Sequence, residues 1–63
     1  MIKLSRINGE EVTVNAELIE TVEASHDTIV SLTTGKRLIV VETVDQVIEK
    51  VMAYRRSIVT PLG

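Results

Sequence analysis

The apolar residues of this chain change their period at Thr43. From Ile2 to Glu42 they recur mostly at every second position, interrupted by the polar-glycine steps Asn8-Gly9 and Thr34-Gly35. A period of two puts successive side chains on opposite faces of an extended chain, and Asn-Gly between two such runs is a strong hairpin signal. From Thr43 onward Val44, Val47, Ile48, Val51, Arg55 and Ile58 follow the three-and-four rhythm of one helix face. A chain of 63 residues patterned this way folds as a small sheet followed by a helix, an α+β arrangement.

The alternation predicts a hairpin between strands over Ile2–Ile7 and Glu11–Ala16. Its turn is expected to be type I′, with positive φ at both Asn8 and Gly9. Ile7 stands on the polar side of its strand. Glu17–Ala24 fits either a helical turn or a short strand, and a turn at Ala16–Leu18 followed by a strand from Ile19 to Ala24 is the preferred reading. Ser25-His26-Asp27 reads as a turn. Thr28–Thr33 and Arg37–Glu42 read as strands joined by a second hairpin turn at Thr34-Gly35-Lys36. The expectation is therefore an antiparallel sheet of four or five strands within residues 2–42 and an amphipathic helix over 43–58. Thr43 and Gln46 have capping-box spacing. Asp45 and Glu49 lie early in this helix, and Lys50, Arg55 and Arg56 late, which suits its dipole. Pro61 rules out continuation, so the reading is one domain over 1–58 and a flexible tail over 59–63.

Composition strengthens the strand reading. Ten Val, seven Ile and seven Thr make 24 β-branched residues, while Phe and Trp are absent and Tyr54 is the single aromatic. Such side chains fit a pleated surface better than a helix. A chain this short buries only about 60% of its unfolded surface. The run Leu38-Ile39-Val40-Val41 is apolar at consecutive positions, and Ile7, Ile19 and Ile29 add to the second face. One helix covers one face of a sheet, so the other is expected to pack against a second copy, as a homo-oligomer.

The formal net charge of −2 argues against nucleic acid, whose binders draw most of their affinity from neutralised phosphates. No cysteine is present, so disulfides and thiolate metal sites are excluded, and a cytoplasmic location is expected. No apolar run approaches the ~20 residues of a membrane span, and the N-terminal residues lack the apolar core of a signal peptide. His26 is the only histidine. Its neighbours Ser25 and Asp27 suggest a hydrolase triad, but adjacent turn residues cannot adopt triad geometry together. Glu10, Glu11, Glu17, Glu20 and Glu23 form a loose acidic stretch without metal-loop spacing and read as edge protection. Gly9 and Gly35 are isolated, so no phosphate loop is formed. The reading is of no enzyme, no catalytic residue, no cofactor and no metal. The candidate partner-binding residues are Arg6, Lys36, Arg37, Lys50, Tyr54, Arg55 and Arg56.

Four segments carry a family resemblance: I-K-L-S-R-I-N-G at the start, V-N-A-E-L-I-E-T-V-E in the middle, D-T-I-V-S-L-T-T-G-K after it, and V-I-E-K-V near the end. In this order and spacing, over Met1–Arg56, the chain resembles the small FlbD proteins of bacterial flagellar gene clusters, also described as swarming motility protein SwrD. It departs at Leu32–Gly35, where the family leads one to expect Asn before the glycine. The resemblance implies a non-enzymatic accessory that supports flagellar motor output or swarming by protein contact. Its implied partners are motor or stator components, and its implied location is cytoplasmic, peripheral at the motor. No site residues carry over from that family. The opening Met1-Ile2-Lys3-Leu4-Ser5-Arg6 is also similar to the carbon storage regulator proteins, which bind messenger RNA and place an arginine where the last strand enters the helix. Here that stretch is Val40-Val41-Glu42-Thr43, acidic where the regulator is basic, and only Arg6 is shared. A fainter likeness to LytTR DNA-binding domains, through Ile19–Ala24 and Gly35-Lys36, meets the same low charge.

Overall fold

A computed structural model describes residues 1–58. The elements are β1 (Ile2–Ser5), β2 (Glu11–Val14), a 3-10 turn (Ala16–Leu18), β3 (Ile19–Ala24), β4 (Thr28–Leu32), β5 (Arg37–Val40) and α1 (Val44–Ile58). The α+β expectation holds, and the five strands are divided between two antiparallel sheets, β1-β2 and β3-β4-β5. The division arises at Asn15. Its side chain accepts the Glu17 amide at 3.0 Å and its carbonyl accepts that of Leu18 at 3.0 Å, so the chain turns and β3 pairs with β4 instead of β2. The preferred reading of 16–24, a turn and then a strand, is the one observed. The expected tail, 59–63, lies outside the described residues.

The first hairpin loop differs from the expected type I′ geometry, and the second takes the same form as the first. In the first, the Gly9 amide donates to Arg6 at 2.9 Å and the Arg6 amide donates to Glu10 at 2.7 Å. In the second, Gly35 donates to Leu32 at 2.9 Å and Leu32 to Lys36 at 2.8 Å. Each loop has three residues, and positive φ occurs only at the glycine, +94° in both. This is a turn closed by a glycine bulge, in place of a type I′ turn. The Asn8 side chain explains the choice in the first loop. Its Oδ1 accepts the Glu10 amide at 2.9 Å, a local bond that holds Asn8 at negative φ. Ile7 is thereby a loop residue, which accounts for its place on the polar side of the alternation, and it is 57% exposed.

The core is small and aliphatic. Ile2, Leu4, Val14, Ala16, Val30, Leu38, Val40 and Val47 are buried, with Val12, Ile19, Val22, Leu32, Val51 and Tyr54 packed around them. Along β5, Leu38 and Val40 are buried while Ile39 is 42% exposed, so the apolar run is still read as a two-faced strand. Val41, expected in the strand, lies past its end and is 63% exposed. β3 carries an irregularity between Ile19 and Thr21 that leaves Glu20 without a partner opposite it.

The helix starts as its sequence says. Thr43 Oγ1 accepts the Gln46 amide at 3.1 Å and Gln46 Oε1 accepts the Thr43 amide at 2.9 Å, a reciprocal capping box. Its inner stripe differs by a small rotation from the rhythm in the sequence. Val44, Val47, Val51 and Tyr54 face inward, whereas Ile48 is 45% exposed and Arg55 is exposed. At 100° per residue Tyr54 lies over Val47 and Val51, so burying the one aromatic sets the rotation. No helix among the described residues is long and apolar enough to cross a membrane.

Candidate functional site

The two sheets and the helix meet where β1, β5 and α1 converge, and one side chain holds the junction. Arg6 stands opposite Val40 in an isolated antiparallel bridge, and the Val41 amide donates to the Ser5 carbonyl at 2.8 Å. That alignment puts Ser5 opposite Val41. In a regular ladder such a pair exchanges both hydrogen bonds, and the Ser5 amide would return to the Val41 carbonyl. Instead it donates to the Glu42 carboxylate, 2.9 Å from Oε1 and 3.1 Å from Oε2. The chain is already bending toward the helix at Glu42, so a side chain completes the ladder that the backbone has left.

The electrostatics of Glu42 follow from this geometry. Burial pushes its carboxyl upward. The backbone amides of Ser5 and of Glu42 itself, the Ser5 side chain and the Lys50 charge outweigh that effect, and the carboxyl lies below its ordinary value. Glu42 is therefore a structural anion. At the strand-to-helix position where the carbon storage regulators place an arginine, this chain has a carboxylate bonded to its own strand. Nothing local in the sequence marks it, because Ser5 is 37 residues away.

The structure distributes the candidate partner-binding residues over separate elements. Arg6 is half-buried at the sheet junction. Lys36 and Arg37 lie at the far hairpin, where Arg37 reaches Glu23 at 4.0 Å. Lys50 is exposed on α1 within electrostatic reach of Glu42. Arg55 is exposed, and Arg56 pairs with Glu49 at 3.3 Å. Tyr54, a candidate partner-binding residue from the sequence, is half-buried against the core, because it falls on the Val47–Val51 stripe. No side-chain hydrogen bond or ion pair among the described residues joins one of the seven to another.

Two open depressions flank the junction. One, of about 530 Å³, has Ile7, Val41 and Val44 on its walls and the Ser25–Asp27 turn with Asp45 at its rim. His26 is exposed there, in a turn closed by a Ser25 amide bond to the Asp27 carbonyl at 3.0 Å. The other, of about 400 Å³, is lined by Val41, Glu42, Gln46, Glu49 and Lys50. Among the described residues no three His, Asp or Glu side chains are grouped so as to hold a metal ion.

Comparison with known proteins assigns the whole fold to one family. The family described as FlbD, flagellar and swarming motility proteins, matches residues 1–59, and the chain belongs to it. No curated protein and no solved structure matches the chain.

Proposed function

From this membership we propose that the chain is a non-enzymatic accessory of bacterial flagellar motility that supports motor output by protein contact. The observation that carries the reading is the family match over residues 1–59, which includes every described element. The surface is compatible with it. Exposed apolar side chains, among them Ile7, Val41, Ile48 and Met52, lie among charges of both signs, the composition of a protein-contact surface. The partners in this reading are motor or stator components, met in the cytoplasm.

The test is made in a motile bacterium that carries the gene. The gene is deleted, and flagellin level and tethered-cell rotation are recorded in the same strain. Normal flagellin with weak rotation supports a role at the motor. Depleted flagellin or its transcript would instead make the protein a regulator of flagellar genes.

A further inference from the structure

The outward flank of α1 carries a seam that the fold leaves uncovered. Asp45, Ile48, Met52 and Arg55 follow one another at spacings of three, four and three, the repeat along which two helices pack side by side. None of the four is needed by the core, which takes Val47, Val51 and Tyr54 from this helix. Ile48 is 45% and Met52 47% exposed, and Asp45 and Arg55 are exposed at the two ends.

The seam is complementary to its own reverse. A two-fold axis between Ile48 and Met52 sets a second α1 antiparallel to the first. Ile48 then meets the partner's Met52, and Asp45 meets the partner's Arg55, at both ends alike. Beside the seam the Glu49–Arg56 pair, 3.3 Å apart, repeats the same polarity, acidic toward the start and basic toward the end. A parallel copy would oppose like charges at each end. From this charge complementarity we infer that the outer face of α1 is a self-association surface, occupied by the same face of a second copy in antiparallel orientation.

The sheet is the competing surface, and it is less complete. Arg37 on β5 reaches Glu23 on β3 across β4, and Ile29 there is half-buried. From residue 45 to 55 the helix seam runs about 15 Å. It is smaller than the ~800 Å² per partner of a standard stable interface, so the dimer is weak and forms with rising concentration.

The test is sedimentation of the full chain from micromolar to millimolar concentration. Wild-type protein is expected to pass from monomer to dimer. Asp45→Arg and Arg55→Asp each create two like-charge contacts per dimer and are expected to weaken association about tenfold or more. An equimolar mixture of the two variants pairs Arg with Asp at both ends and is expected to recover association to within about threefold of wild type. Loss of folding cannot be repaired by mixing, so the mixture separates an interface effect from a loosened helix. Met52→Lys is expected to abolish the dimer while helical circular dichroism is retained. A chain that stays monomeric at millimolar concentration would overturn the inference, as would a mixture no better than its components. So would a dimer that is indifferent to these changes but lost on Ile39→Asp, which would move the contact to the sheet.

Discussion

Replacing Glu42 tests the junction where the two sheets and the helix meet. In Glu42→Ala the Ser5 amide loses both carboxylate oxygens, at 2.9 and 3.1 Å, at a half-buried site. A hydrogen bond to a charged acceptor contributes about 1.5–3 kcal/mol. Water can reach part of this site, so the expected loss is about 1–2 kcal/mol. A chain this size has roughly 3–9 kcal/mol in total. Urea unfolding should register the loss as a lower midpoint with unchanged slope. Glu42→Gln keeps an acceptor oxygen and removes the charge, so it should lose about half as much at neutral pH. The pH dependence gives a second, independent reading. The folded-state carboxyl lies below its ordinary value, so the unfolded chain binds the proton more readily. The stabilisation is then present above the unfolded value of about 4.3 and disappears as pH falls through the folded value. The gap between wild type and Glu42→Gln should be full at pH 7 and close on acidification. Parallel pH profiles for the two proteins, or a Glu42→Ala loss below about 0.3 kcal/mol, would refute this role of Glu42.

Leu4 is 1% exposed in an all-aliphatic core, and Leu4→Ala should cost about 3 kcal/mol by urea unfolding, a large fraction of the whole stability. Thr43→Ala removes one half of the capping box and should cost about 1 kcal/mol, with fraying of the first turn seen by amide exchange. At Gly35, φ is +94° and a Cβ would meet nothing within 4 Å, so Gly35→Ala should cost about 1–2 kcal/mol from backbone strain alone. Random RNA at low salt should show no salt-sensitive binding by fluorescence anisotropy. Binding that falls steeply with added salt would favour the regulator reading.

What the sequence disclosed and what it hid differ in range. The capping box and the turn at Ala16–Leu18 are encoded within a few residues, and local physics was enough to read them. The hairpin loops were located correctly, but the first was given the wrong geometry. Asn8 tolerates positive φ, yet it forms a side-chain bond to the Glu10 amide that favours negative φ, and the identity of the dipeptide does not decide between them. Two features depended on distance. The split into two sheets follows from β2 and β3 failing to pair, and the role of Glu42 from the approach of Ser5. The burial of Tyr54 was hidden for a third reason. The helical rhythm in the sequence runs through Ile48 and Arg55, and only the packing of the aromatic ring fixes which neighbouring stripe turns inward. Of the candidate partner residues, the separation of the hairpin cations from those of the helix was likewise invisible before the elements were assembled.

The charge disposition bears on which class of partner this surface suits. Exposed ion pairs such as Arg37–Glu23 and Arg56–Glu49 are weak, so pairing alone would not keep those cations from a phosphate. Their arrangement is a stronger consideration. The candidate cations lie on a hairpin, a sheet junction and a helix, three of them within reach of acidic groups, and the strand–helix junction is itself held by a carboxylate. A phosphate backbone would meet anions between its contacts. A protein surface has both signs available, and the chain's exposed Ile48 and Met52 would supply the apolar centre that a charged rim surrounds. The same mixed surface that weakens a nucleic-acid reading therefore supports contact with protein, whether a motor component or another copy of the chain.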